Sequence, residues 1–230
     1  MGLDMSEFKA AGEYESLNAL FTRALEVDRS CDPDPLYYVS PCDALITECG
    51  EVEEGRALQI KGMSYSVGEL LKESRYAKKM KHYINFYLSP RDYHRYHMPH
   101  TLQILRVVHI PGKLYPVNLR FLRKKIDLFI ENERVVLECR TKDDKILYIV
   151  LVGALNVGQM VLVFEERIRT NHKNDIQIFE YEDLWLQKGE LLGYFKMGST
   201  IVLFFEEDLE LLVKSGDRVR YPQNIARRMA

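Results

Sequence analysis

The chain has 230 residues, of which 47% are hydrophobic and 29% charged, and its formal net charge is −2. This composition is typical of a globular protein that is long enough to bury a core, and it argues against disorder. The sequence contains no stripe of Lys and Arg interleaved with aromatic residues, so nothing in it indicates a nucleic-acid partner. The four cysteines include no CxxC pair, so we expect neither a zinc site nor a disulfide framework.

The N-terminal part of the chain predicts one helix. Residues 1–16 are polar, without the apolar core of a signal peptide, so we expect a cytoplasmic or peripheral membrane location. Between residues 8 and 27, Leu17, Leu20, Phe21 and Leu25 fall on one helical face. We interpret this segment as a helix packed on the body of the protein, and a helix lying on a membrane surface is the alternative.

After the turn-rich CDPDP stretch at 31–35, short segments rich in Val, Ile, Tyr and Phe alternate with Gly, Pro, Asn and Asp. This rhythm is typical of an antiparallel β domain. It predicts an α+β fold, predominantly antiparallel β and sandwich- or barrel-like, with an N-terminal helix and a few short helices in a single domain of residues 1–230. The segment 67–80 is the best internal helix candidate. Strands are predicted at 36–39, 45–48, 57–60, 83–88, 102–109, 127–130, 134–139, 146–152, 160–164, 176–181 and 201–205.

One apolar stretch, residues 146–164 (ILYIVLVGALNVGQMVLVF), is almost long enough to cross a bilayer. Asn156, Gln159 and two glycines interrupt it, and β-branched residues are frequent near its ends. It therefore predicts two buried strands joined at GALNVG, and no transmembrane helix is expected.

The densest polar cluster is residues 87–99, YLSPRDYHRYHMP. Pro90 and Pro99 exclude a continuous helix through it. On a helix, His94 and His97 would share a face and could bind a metal with Asp92, whereas in an extended chain they would serve two different sites. Two histidines beside an aspartate in so polar a run favour a functional role.

Two further segments are weak signals when taken alone. FKMGSTIVLFF (195–205) has a Gly-Ser-Thr triplet that opens an apolar strand, which an ordinary tight turn would explain. VSPCDALITECG (39–50) places Asp43 after Pro41, as in many turns.

Together, these three segments resemble the phosphatidylserine decarboxylase family, and the likeness covers roughly residues 17–206. Further matching segments occur in the family's order: LFTRAL (20–25), QIKGMSYS (59–66), PGKLYPVN (111–118), NERVV (132–136), VGALNVG (152–158) and KGELLGYFKMGST (188–200).

The resemblance implies a proenzyme that cuts itself between Gly198 and Ser199, into chains 1–198 and 199–230. It assigns Asp43, His97 and Ser199 to the cut, with His97 as the base for the serine hydroxyl and Asp43 orienting His97. Ser199 would become a covalent pyruvoyl group, and His94 would act in decarboxylation. The pyruvoyl carbonyl would serve as an electron sink, so neither a metal nor pyridoxal phosphate is expected.

The implied reaction converts phosphatidylserine to phosphatidylethanolamine, with peripheral membrane contact and a homodimer of cleaved protomers. The alternatives are the same chemistry on a free amino acid or other soluble amino-acid-like substrate, and an inactive lipid-binding homologue.

Three departures from the family pattern bear on these alternatives. Ala44 follows Asp43 where glycine is usual, and Met197 precedes Gly198 where leucine is commoner. Family members that act on membrane phosphatidylserine commonly carry a longer hydrophobic N-terminal region, whereas this chain begins close to the first matching segment, so we expect less direct membrane anchoring and give the soluble-substrate alternative more weight.

Overall fold

The protein is described here by a computed structural model that covers residues 3–60, 62–72, 76–155, 159–171, 175–196 and 200–229. All pairs between its named strands are antiparallel. The prediction of a mostly antiparallel β fold with a few short helices is therefore confirmed.

The strands are β1 Tyr37–Val39, β2 Ala44–Glu51, β3 Arg56–Ile60, β4 Met63–Ser66, β5 His82–Tyr87, β6 Arg95–His97, β7 Leu102–Ile110, β8 Arg134–Arg140, β9 Ile146–Val152, β10 Met160–Leu162, β11 Gln177–Leu186, β12 Leu191–Phe195, β13 Thr200–Phe205, β14 Leu209–Leu211, β15 Arg218–Val219 and β16 Asn224–Arg228. The helices are α1 Leu17–Phe21, α2 Val67–Leu71, α3 Leu119–Leu122 and α4 Leu128–Glu131, with 3₁₀ turns at Ala11–Glu13 and Ala77–Lys79.

An eight-stranded sheet in the order β11-β7-β8-β9-β13-β5-β2-β15 forms the centre of the molecule. Every residue of β9 and β13 is buried, so both faces of the sheet are covered there. This explains why these strands read as continuous apolar runs instead of alternating patterns. The three-stranded sheet β10-β12-β6 carries the histidine-rich segment, and β1-β16-β14 and β3-β4 complete the fold.

The apolar stretch 146–164 contains β9 and β10, as predicted. Within the described ranges, no helix is long and apolar enough to span a bilayer.

The predicted strand at 127–130 is wrong, because these residues enter helix α4. Asp127 adopts a left-handed conformation with φ of 54° before the helix. The buried Gln59 side chain accepts a hydrogen bond from the Leu128 backbone N–H and donates to the carbonyls of Leu122 and Lys125. These long-range contacts override the β preference of the sequence.

Two helix predictions were too long. Helix α1 covers only Leu17–Phe21, where Ser16 caps it through the Ala19 N–H. In the segment 67–80, helix α2 ends at Leu71 and is followed by Lys72, which adopts a left-handed conformation with φ of 53°. Residues 73–75 lie outside the described part.

Candidate active site

Of the sequence-predicted residues, Asp43, His94 and His97 lie at the end of the large sheet where β13 begins. Thr200, its first residue, pairs with Tyr87 on β5 and with Val152 on β9. On the other side of the predicted cut, the Phe195 backbone N–H donates to the His94 carbonyl over 3.0 Å. The segment 87–99 therefore contacts both flanks of residues 197–199. Gly198 and Ser199 themselves lie outside the described residues.

His97 ends strand β6 and is buried. Its backbone N–H donates to the Pro41 carbonyl, and its ring stacks on Tyr221 at a centroid distance of 3.8 Å. The Gly189 carbonyl lies 3.0 Å from Nδ1, and the Tyr93 hydroxyl lies 3.1 Å from Nε2. A carbonyl can only accept, so the hydrogen-bond network assigns the proton to Nδ1 and leaves a lone pair on Nε2.

Burial is the main reason why the pKa of His97 is lowered, to about 4. The Gly189 hydrogen bond opposes this shift, and the positive charges of Arg95 and Arg29 add to it. The imidazole is therefore neutral at pH 7, and its Nε2 carries the lone pair of a base.

Asp43 lies directly before strand β2 and is held by Arg29 and Tyr221. Its carboxylate accepts from Arg29 Nη1 at 2.6 Å, from Arg29 Nη2 at 3.1 Å and from the Tyr221 backbone N–H at 2.9 Å. Among the described residues, no hydrogen bond joins Asp43 to His97. Tyr221 connects them instead, since its backbone binds Asp43 and its ring stacks on His97.

Ala44, which stands where the family usually has glycine, is the first residue of β2. It is not one of the residues with positive φ. The backbone there is one that alanine adopts freely, so this departure introduces no strain.

His94 lies in a different environment from His97, as the extended reading of the segment predicts. It is fully buried, and its ring packs on Phe21 of helix α1 at 3.9 Å. Nδ1 donates to the Asp92 carbonyl at 2.8 Å, and burial lowers the pKa to about 3. No partner for Nε2 is found within the described part of the chain.

Three buried polar atoms without a described partner occur around the predicted cut: His94 Nε2, Ser89 Oγ and Thr200 Oγ1. Ser89 follows β5, and Thr200 is covalently bonded to residue 199. Buried polar atoms cost free energy unless they are hydrogen-bonded. The Ser89 and Thr200 hydroxyls could donate to the carbonyl oxygens of a small group at position 199, whereas His94 Nε2, in the tautomer that donates from Nδ1 to Asp92, offers a lone pair.

A groove of about 340 Å³ opens beside His97. Arg29, Tyr93 and Tyr221 line it together with residues 24–28, Arg95 and Leu191. A cleft of about the same volume lies beside Lys196, whose Nζ donates to Gln159 Oε1 at 2.7 Å.

In the described ranges, no three His, Cys, Asp or Glu side chains converge as metal ligands would.

Sequence reasoning missed Phe21, Arg29 and Tyr221 as parts of the site. Arg29 and Tyr221 are 192 positions apart, yet Arg29 Nη1 donates to the Tyr221 carbonyl. No local pattern marks them, because they reach the site through tertiary contacts. Tyr93 was inside the polar cluster at 87–99, which was the one available signal.

A family model described as phosphatidylserine decarboxylase matches residues 17–227. The chain belongs to this family. The family is one of carboxy-lyases, and the relatives bear the name phosphatidylserine decarboxylase proenzyme. The Helicobacter pylori (strain Shi470) protein of that name is 46% identical over 94% of this chain and 84% of its own length. The Campylobacter jejuni relative is 45% identical over 97% of this chain and 86% of its own. The Azotobacter vinelandii relative is 38% identical over 93% and 74%.

Proposed function

We propose that the chain cuts itself between Gly198 and Ser199 and then decarboxylates phosphatidylserine to phosphatidylethanolamine. One observation carries this proposal: the segment 87–99, with both histidines, contacts the described residues on each side of the cut. Family membership, and the proenzyme names of the relatives, support the same reaction.

In the cutting step, His97 Nε2 is the base for the Ser199 hydroxyl. The Tyr93 hydroxyl donates to Nε2 of neutral His97, so Nε2 is the basic nitrogen of the ring. The serine oxygen attacks the Gly198 carbonyl carbon, and the amide C–N bond breaks as an ester forms. Loss of the Ser199 α-proton and cleavage of its Cβ–O bond release residues 1–198. Hydrolysis then releases ammonia and leaves the pyruvoyl group at position 199.

Asp43 supports this step through Tyr221 and Arg29. Its carboxylate accepts a hydrogen bond from the Tyr221 backbone N–H, and the Tyr221 ring stacks on the His97 ring. Gly189 is the second support, since its carbonyl accepts from both His97 Nδ1 and the Tyr221 hydroxyl. These contacts hold the tautomer in which Nε2 is the base.

In the decarboxylation step, the pyruvoyl carbonyl supplies an electron sink for an amine substrate. His94 then takes up and delivers a proton at Nε2. This atom is buried, its ring is fixed by Phe21, and its other nitrogen is occupied by the Asp92 carbonyl. A proton held there is strongly acidic, because burial disfavours the imidazolium.

A lipid substrate is favoured by the apolar surface beside His94. Leu17 lies four residues before Phe21 in helix α1, so the two share a helical face. Phe21 covers His94, while Leu17 is 78% exposed. We propose that the exposed Leu17, one helical turn from Phe21, contacts the acyl region of a phospholipid and that the enzyme is a peripheral protein at a membrane surface.

The test compares wild type with Ser199→Ala, and with Ser6→Ala as a matched control at an exposed position. Phosphatidylserine and free serine are supplied as substrates, and carbon dioxide and phosphatidylethanolamine are measured. Wild type and Ser6→Ala should be cut and convert only the lipid, and Ser199→Ala should stay uncut and inactive. Activity of Ser199→Ala would exclude the mechanism, and turnover of free serine alone would show the soluble-substrate alternative to be right.

A further inference from the structure

The connection between β7 and β8, residues 111–133, lies at the same end of the sheet as the predicted cut. It leads into Arg134, which pairs with Val152, and Val152 pairs in turn with Thr200. Two strand spacings separate β8 from β13, which is about 10 Å. Whatever binds this connection is therefore held close to the site.

This connection is basic although the chain as a whole is not. Residues 111–133 contain five Lys or Arg and three Asp or Glu, a net charge of +2, whereas the net charge of the chain is −2. Lys113 and Lys125 both pair with Glu131. Arg120, Arg123 and Lys124 are exposed, and they have no carboxylate partner among the residues that the structure describes.

Apolar side chains lie between these cations. Phe121 is 41% exposed and Ile126 is 61% exposed. Exposed apolar residues interleaved with unpaired cations are typical of surfaces that insert into the headgroup region of an anionic bilayer. The cations attract the lipid phosphates, and the apolar side chains enter the interface.

The backbone beneath these residues is firmly held. Asn118 caps α3 by accepting from the Phe121 N–H, and Leu122, Leu128 and Phe129 are fully buried. Gln59 ties the carbonyls of Leu122 and Lys125 to β3. The exposed side chains are thus presented by a fixed support, and replacing them leaves the buried contacts intact.

We propose that a basic apolar face, formed by Arg120, Phe121, Arg123, Lys124 and Ile126, docks the protein on an anionic phospholipid bilayer. Charge complementarity selects this occupant, since three unpaired cations face a surface of lipid phosphates. The link from docking to turnover rests on the proposed function. Docking here places the active-site end of the sheet against the membrane that contains the substrate.

The test uses the triple variant Arg120→Ser, Arg123→Ser, Lys124→Ser. Its matched control, Lys78→Ser, Lys142→Ser, Lys145→Ser, removes three exposed lysines at the opposite end of the sheet. Co-sedimentation is measured with vesicles of phosphatidylcholine and phosphatidylglycerol, and with phosphatidylcholine alone. The triple variant should bind the anionic vesicles about 100-fold more weakly, since each cation contributes roughly five-fold. The control triple should bind like wild type.

Turnover separates docking from catalysis. With short-chain phosphatidylserine below its micelle concentration, the control triple variant and the Arg120 triple (Arg120→Ser, Arg123→Ser, Lys124→Ser) should both decarboxylate at the wild-type rate. With phosphatidylserine in vesicles, only the Arg120 triple should decarboxylate more slowly. A separate double variant, Phe121→Ser with Ile126→Ser, should also reduce vesicle binding.

Three results would overturn the proposal: undiminished binding of the Arg120 triple, equal loss in the control triple, or a change of oligomeric state in sedimentation velocity, which would make this face a contact between copies. If wild type decarboxylates neither form of the lipid but the Arg120 triple still loses vesicle binding, the proposed function fails and the docking face stands.

Discussion

At the residue scale, two histidines three positions apart have separate surroundings because the chain between them is extended. His97 contacts Tyr221 and Tyr93, whereas His94 contacts Phe21 and the Asp92 carbonyl. This separation allows one histidine to serve the cut and the other the decarboxylation.

His94→Gln should leave the cut largely intact and reduce decarboxylation by about 100-fold or more, because a positioned acid–base group contributes that much. Chain cleavage on a denaturing gel and carbon dioxide release from phosphatidylserine are measured together. His82→Gln, the same change at the far end of β5, is the control and should affect neither. Normal turnover in His94→Gln would remove this residue from the chemistry.

Arg29→Lys tests the support beneath His97. Arg29 binds Asp43 through two nitrogens and also contacts Glu7 and the Tyr221 carbonyl, an arrangement that a single ammonium cannot reproduce. We expect a loss of about 2 kcal/mol in the free energy of unfolding and a slower cut, followed over time after synthesis in vitro. A cut at the wild-type rate would show that Arg29 has no positioning role.

At the element scale, the small sheet β10-β12-β6 determines where His97 sits. Leu191 on β12 pairs with His97, and Gly193 pairs with Tyr96. A Cβ at Gly193 would lie 1.9 Å from the Val161 carbonyl oxygen and 2.7 Å from the Tyr96 ring, so no side chain fits there.

Gly193→Ala should destabilise the protein by about 3 kcal/mol through this overlap and impair the cut. Gly12→Ala is the control, because a Cβ at Gly12 meets nothing within 4 Å. Urea unfolding of both variants, with Ser199→Ala added to each so that only uncut chains are compared, gives the difference. Equal stability of the two would show that β12 and β10 are further apart than described.

A helix or strand can be predicted from the sequence when local residues determine its conformation, and it is missed when residues distant in the sequence determine it. The apolar runs of β9 and β13 are recognisable because burial of both faces leaves a purely hydrophobic pattern. Helix α4 was predicted as a strand because Gln59, which caps it from far along the chain, has no local signal. Likewise, Asp43 and His97 were predicted together from family motifs, but the Tyr221 that connects them was not.

At the scale of the whole molecule, the buried histidines predict how stability depends on pH. Burial lowers the pKa values of His94 and His97 to about 3 and about 4, from the ordinary histidine value of 6.5. Between the folded-state pKa values and 6.5, the unfolded chain binds more protons than the folded one. The stability that the two neutral histidines contribute is therefore fully present above pH 6.5 and is lost as the pH falls towards 4.

From pH 7 to pH 5, each of these two histidines should remove about 2 kcal/mol of stability. The measurement is the urea midpoint of the uncut Ser199→Ala chain at both pH values. Adding His94→Gln and His97→Gln should flatten this dependence, although the variant is less stable at pH 7. An unchanged slope would mean that the two imidazoles are not buried in their neutral form.

Both proposed steps depend on the cut between Gly198 and Ser199, so the most direct measurement is an intact-mass spectrum of the purified wild-type protein. We predict two chains, residues 1–198 and 199–230, the smaller lighter by the mass of one ammonia than a chain that begins with an unmodified serine. A single uncut chain of 27.0 kDa, in a preparation that decarboxylates phosphatidylserine, would contradict the proposed self-cleavage mechanism.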